Sequence, residues 1–473
     1  MSASILWHDY ETWGVRPAYD FPVQFAAIRT DLDLNIIEKP LNYFCQIPND
    51  YLPHPGACLV TGITPQQSLR DGSIEAEFAK QIYREISTPE TCTAGYNSIK
   101  FDEEVTRHLL YRNFYPVYER EYSDGNSRWD IIDLVRAAYA LRPEGINWPL
   151  YEDDRPCFKL EELSRANDLG HDKAHDALSD VYATIALAKL IKQKQPKLYE
   201  FYWQMRNKHK VTEWVNTESK QPFLMVSGYI PSSQGCCAWL MPVCQHPTNS
   251  NAILCINLSK DPSAILEHSV EALQDPEIIS HLREHRALPI MQLATNKVPF
   301  VAPAKMLTQA SAERLGIDRE QSLQNYHRLK QAPQLEEKCI NFFTNQYPQD
   351  REMDLDAQLY ARDFPSPADK KLMNEIRSAS EHFLYSVYER LEPSLYRQQL
   401  FRYLGRNFPT VLGESDVQKW QRHRHERIVN GANGSCLSLS EFQQQIETLA
   451  MQYSQDNNKL SLLKQLEAYA SSL

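Results

Sequence analysis

No stretch of the 473 residues approaches the roughly 18 consecutive apolar residues that a membrane-spanning helix needs. The opening MSASILWHDY lacks the basic n-region and cleavage site of a secretory signal, so a cytoplasmic protein that engages no membrane is expected. No two of the ten cysteines are spaced as C-x-x-C, and the adjacent Cys236-Cys237 pair suits neither a zinc knuckle nor a disulfide framework. All ten are read as reduced thiols, most of them buried. Internal repeats and low-complexity tracts are absent as well. Basic residues are not in excess: 50 Lys plus Arg stand against 61 Asp plus Glu, a net charge of −11. The total therefore advertises no polyanion partner, but a local basic stripe can still set the field that a ligand meets. Between Lys189 and Lys220, eight Lys or Arg (189, 192, 194, 197, 206, 208, 210 and 220) stand against Glu200, Glu213 and Glu218. A solvated helix end and a phosphate-tracking patch are both open readings of that stretch.

What is present is ordinary globular composition, 42% apolar and 23% charged, in a chain long enough for about three domains. The first 190 or so residues alternate short apolar runs with helical periodicity, an α/β pattern. Ile5 to Trp7 reads as a strand running into His8-Asp9. Gln24 to Arg29 and Leu34 to Lys39 flank Asp31-Leu32-Asp33 as a hairpin, so three antiparallel strands open the fold. Thr91 to Tyr96 is a fourth strand, and helices are expected near 103–111, 131–141, 160–166 and 177–192. From about Gln195 the runs FLMVSGYI, CAWLMPVC, AILCINLS and IMQLATNKVPFVAP indicate a small β-rich domain with some helix. After Tyr347 to Asp354 the chain is nearly all helical, including Glu441 to Leu449 behind a Ser440 cap, then Lys459 to Ala470. The expected domains are 1–194, 195–347 and 348–473.

Three elements carry chemistry. Asp9 and Glu11 in HDYETWG are two residues apart on a strand, which puts both carboxylates on one face. Side by side they repel, so burying them calls for a cation, and all-oxygen ligation suits Mg²⁺ or Mn²⁺. Asp102 in GYNSIKFDEEV stands at the start of a helix just after a strand, where it could equally be an N-cap. His175 in AHDALSDVYAT precedes Asp180 by five residues, so the two converge on one site only if His175 lies in the loop before the helix.

Taken in order, D-x-E-T on a first strand, Asp after a later strand and H-x-x-x-x-D opening a long helix resemble the motifs of the DEDD exonucleases with histidine, which have a ribonuclease-H-like fold. The HDYET context, GYN-x-x-x-FD, NSRWD, YALRPEGINWP and AHDA-x-SDVYATIA extend that likeness over essentially the whole chain, to the bacterial exodeoxyribonuclease I family. The resemblance implies a ribonuclease-H-like exonuclease domain, an SH3-like β-rich domain and an all-helical C-terminal domain. It implies 3′→5′ degradation of single-stranded DNA to 5′-mononucleotides, in repair and recombination. It also implies roles: Asp9 bridging two Mg²⁺ ions (Mn²⁺ able to substitute), Glu11 and Asp180 on the first, Asp102 on the second through water, and His175 as general base. Glu11, Thr12, Arg107, Tyr118, Tyr122, Arg136 and Lys159 match positions that touch the strand. Lys159 stands where the family usually has arginine, and Tyr122 where it often has tryptophan, so the phosphate fork and the stacking there are expected to be weaker. Arg142 matches a position that binds the acidic tail of single-stranded-DNA-binding protein. A monomer is expected. Two rivals stand beside this reading: a shorter RNA-degrading relative, which the nearly 280 further residues oppose, and a non-catalytic DNA-binding protein, which the intact carboxylate set opposes.

Overall fold

The computed structural model describes residues 3–170, 176–285, 288–344 and 353–473. It forms two compact units, one of residues 1–127, 172–182 and 352–473, the other of 128–171 and 183–351.

In the first unit β1 (Ser4–Thr12) lies between β2 (Pro22–Thr30) and β4 (Thr91–Gly95), antiparallel to β2 and parallel to β4. β3 (Leu41–Phe44) pairs antiparallel with β2. The third strand thus falls later than the sequence pattern suggests. Asp31 accepts backbone N–H bonds from Asp33 (2.9 Å) and Asn35 (2.8 Å), and Leu34 takes a left-handed φ of 68°. That turn breaks the ladder, leaving one bridge between Thr30 and Ile36 and exposing Ile36 and Ile37.

Every residue of β2 and β4 is buried, as expected of strands covered on both faces. One face packs Leu6, Tyr10 and Phe25 against Phe78, Ile82, Val105 and Leu109. Beyond the end of β1, Trp13, Phe21 and Tyr51 share a second core with Phe442, Ile446, Leu466 and Tyr469 from the last two helices, Leu439–Gln452 and Asn457–Ala470. The cap of the former is Ser438, not Ser440, because Ser438 and Glu441 at N3 exchange bonds as a capping box. A buried ion cluster joins the same two parts of the chain. Asp50 takes a bidentate bond from Arg406 (2.8 and 3.0 Å), which also holds Asp356 (2.7 Å), while Arg427 reaches Asp50 and Asp354.

β5 (Ser127–Asp130) ends the first stretch, and the second unit contains the helix Ile132–Leu141 and an antiparallel sheet. Its strands are β6 (Phe223–Val226), β7 (Cys237–Gln245), β8 (Ala252–Asn257), β9 (Ile290–Ala294) and β10 (Phe300–Pro303), in the order β10-β6-β7-β8-β9. These are the apolar runs that the sequence marked. The ten cysteines are thiols, nine of them buried. Among the described residues no helix is long and apolar enough to cross a membrane.

Candidate metal centre

β1 alternates at its C-terminal end: His8, Tyr10 and Thr12 are buried, while Asp9 and Glu11 face the other way, partly buried. The strand is held in place from both sides. Tyr10 N–H donates to the Asp102 carboxylate (3.0 Å), and Thr106, one turn along the helix Asp102–Arg112, donates its hydroxyl to Tyr10 Oη (3.0 Å). Asp102 is therefore not an N-cap. It is the first helical residue, the cap position being Phe101, and its carboxylate reaches back to the strand.

Asp180 lies in the first turn of the helix Ala177–Lys194. One carboxylate oxygen from each of Asp9, Glu11 and Asp180 lies within 4.8 Å of the others, so the sequence motifs from the first strand and the late helix meet at one point. Burial, with repulsion from Asp102, Glu11, Asp180 and Asp176, raises the Asp9 carboxyl far above the ordinary range. Burial, with Asp180, Asp102 and Asp176, pushes Glu11 up to about 8. Acids held this close, with oxygens converging on one point, fit a hard divalent cation.

Two residues at this site escaped the motif reading. Asp176 accepts a bond from Ser179 N–H (3.3 Å) and one from Gln24 Nε2 (3.3 Å), and its charge acts on both Asp9 and Glu11. Gln24 is the register partner of Glu11 on β2. The sequence signal for Asp176 is D-x-x-x-D, since Asp176 and Asp180 are one helical turn apart and Asp180 N–H donates to the Asp176 carbonyl (3.0 Å). His175 itself lies outside the described residues.

The residues expected to touch a strand occupy varied surroundings. The Thr12 hydroxyl donates to the Gly14 carbonyl (2.6 Å). Arg107 is buried: it grips Glu121 through Nε (2.8 Å) and Nη2 (2.9 Å), while Nη1 reaches Glu104 and Tyr360 Oη (both 3.0 Å). Its guanidinium also backs the Tyr118 ring at 5.3 Å, and Tyr118 meets the exposed Phe364 edge-on at 5.8 Å. Tyr122 is 68% exposed. In the second unit Arg136 pairs with Asp133 (2.7 Å), and Arg136 and Lys159 line one cavity. Arg142 ends the helix Ile132–Leu141 and donates to the Leu141 carbonyl, the place where a cation complements a helix dipole.

Three family models cover the chain: Exonuclease over residues 6–188, Exonuclease I SH3-like domain over 206–345, and Exonuclease I C-terminal domain over 353–473. Exodeoxyribonuclease I of Escherichia coli (strain K12) is 40% identical over 473 residues, covering 100% of this chain and 98% of the relative. The structure of E. coli exonuclease I in complex with a dA16 oligonucleotide superposes with a TM-score of 0.93 at 40% identity, covering 100% of both chains. That of an SSB/exonuclease I complex with an inhibitor does so with a TM-score of 0.90 at 39% identity, again over 100% of both.

Proposed function

Given that the chain belongs to the exodeoxyribonuclease I family, we propose that it removes 5′-mononucleotides from the 3′ end of single-stranded DNA by metal-assisted hydrolysis, in the service of repair and recombination. The observation that carries this reading is the meeting of Asp9, Glu11 and Asp180 within 4.8 Å, with Asp102 bonded to the same strand. Asp9 would be shared by two Mg²⁺ ions, Glu11 and Asp180 would complete the first, and Asp102 would serve the second. Paired divalent cations, when bound, supply a water of lowered pKa and neutralise charge on the entering and leaving oxygens of an in-line displacement.

The chain's own groups do the rest. His175 would accept the proton of the attacking water, a role for which the imidazole is the usual side chain. Tyr10 and Thr106 fix the strand so that Asp9, Glu11 and Asp102 keep their spacing. Thr12 and Glu11 meet the terminal nucleotide, while Tyr118 and Tyr122 offer rings to unpaired bases, with Arg107 steadying Tyr118 from behind. Arg136 and Lys159 offer cations to phosphates. Arg142 would receive the acidic tail of single-stranded-DNA-binding protein; the solved SSB/exonuclease I complex supports this partner, and equal affinity of a labelled tail peptide for wild type and Arg142→Ala would refute the residue. We take 1–194, 195–347 and 348–473 as the domain limits.

The deciding experiment follows a 5′-labelled single strand in Mg²⁺ and in EDTA. A ladder shortening from the 3′ end, abolished by EDTA and by a bulky 3′ block but indifferent to a 5′ block, is expected. Digestion from the 5′ end, faster cleavage of a matched RNA, or equal rates on blunt duplex would overturn the reading.

A further inference from the structure

The cavity of the second unit, about 510 Å³, is of a size that holds a small ligand. Its wall is chemically biased. Arg136, Arg155 and Lys159 supply three cations, Tyr151 and Tyr229 supply rings, and among the described residues no carboxylate lines it, although the chain carries a net charge of −11.

The local backbone explains how these side chains come together. Leu150 and Pro156 bridge, Tyr151 N–H donates to the Arg155 carbonyl (2.8 Å), and Asp154 closes the turn at a φ of 62°. The hairpin therefore presents Tyr151 and Arg155 side by side. The Arg155 guanidinium lies 5.7 Å from the centre of the Tyr151 ring and Lys159 Nζ lies 6.0 Å from it. Across the cavity, Gly228 lets the Arg136 guanidinium approach: a methyl group there would stand 2.8 Å from Arg136 Nη2. The next residue, Tyr229, leaves 73% of its surface in water. Arg155 pairs with Asp153 (2.6 Å), an exposed pair of the kind that yields readily to a competing anion.

From this arrangement we infer that the cavity binds one internal nucleotide of the single strand, with Arg155 on its phosphate and Tyr229 against its base. The inference rests on the nuclease reading and adds two contacts to it. Arg155 supplies the planar fork that Lys159 lacks, so the hairpin restores bidentate phosphate binding from a different position. The rings favour a nucleobase over an acidic peptide, which would need the cations alone.

The test measures affinity for 5′-labelled oligothymidylate in EDTA, where cleavage stops, for wild type, Arg155→Ala, Tyr229→Ala and Arg155→Lys. Both alanine sites are exposed, so the fold should survive, which thermal melting checks. Tyr229→Ala should weaken binding roughly tenfold, and an abasic strand should erase the difference between it and wild type. Arg155→Ala should lose affinity and lower the salt slope by about 0.7, one phosphate's share, with Arg155→Lys recovering the slope but only part of the affinity. If wild type binds and both alanine variants bind as tightly, the cavity assignment falls while the nuclease reading stands. Loss of affinity for an acidic peptide without loss for DNA would likewise overturn it. Should wild type fail to bind the strand at all, both fall.

Discussion

At the scale of single residues the site is a set of like charges whose oxygens converge on one point. Asp9→Ala or Asp180→Ala should abolish cleavage while leaving measurable DNA affinity, because metal ligands serve the transition state more than the ground state. Single-turnover rates beside binding isotherms would check this, and wild-type kcat in either variant would remove the assignment. His175→Ala should lose roughly 10²- to 10⁴-fold in kcat, the usual worth of a general base; a change confined to KM would make it a binding residue. The raised Glu11 carboxyl has a consequence for stability as well. Its ordinary value is 4.5 and its folded value about 8, so the folded, metal-free protein holds a proton that the unfolded chain releases. The corresponding stability is present below about pH 4.5 and is lost as pH rises through 8. In EDTA, wild type should therefore lose Tm over that interval relative to Glu11→Gln, and added Mg²⁺ should restore it most at the alkaline end. A pH-independent difference between the two proteins would contradict this.

At the scale of elements, what positions the carboxylates is one strand clamped by one helix. Asp102→Asn keeps an acceptor for Tyr10 N–H and removes the charge, whereas Asp102→Ala also leaves that buried donor unpaired. Both should lose activity, but only the alanine variant should lose stability, by about 1 to 3 kcal/mol in denaturant melts. The reading from sequence succeeded where periodicity and chemistry agreed. The two-residue spacing of Asp9 and Glu11 gave a shared face, and the apolar runs after Phe223 became strands β6 to β10. It slipped where a side chain rewrites the backbone. The Asp31 turn and the left-handed Leu34 ended a ladder that Ile36 and Ile37 appeared by composition to continue. Ser438 rather than Ser440 became the cap because only Ser438 has a glutamate three residues on. Asp102 looked like a capping residue, and its true partner, a strand N–H 92 positions away in sequence, cannot be read from neighbours.

At the scale of the whole molecule, the nuclease strand and the last helices share one core. Asp50 and Asp356 are held far below the usual carboxylate range, against the cost of burial, chiefly by Arg406 together with Arg427 and Arg402. A depressed carboxyl contributes stability above its unfolded value near 3.8 and loses it only as pH falls through the folded value, so this cluster should stay ionised well into acid. Asp50→Ala removes one anion from the buried cluster, leaving Arg406 to Asp356 and Arg427 to Asp354, and should cost about 3 to 5 kcal/mol, measurable as a shift in the urea midpoint. The packing of Trp13, Phe21 and Tyr51 on Phe442, Leu466 and Tyr469 has a further result. During synthesis the first strand leaves the ribosome long before the residues that cover its far end exist, so the apolar surface of Trp13, Phe21 and Tyr51 stays uncovered until the last two helices arrive. A product interrupted before Leu439 lacks the residues that cover that surface and leaves it open to other chains.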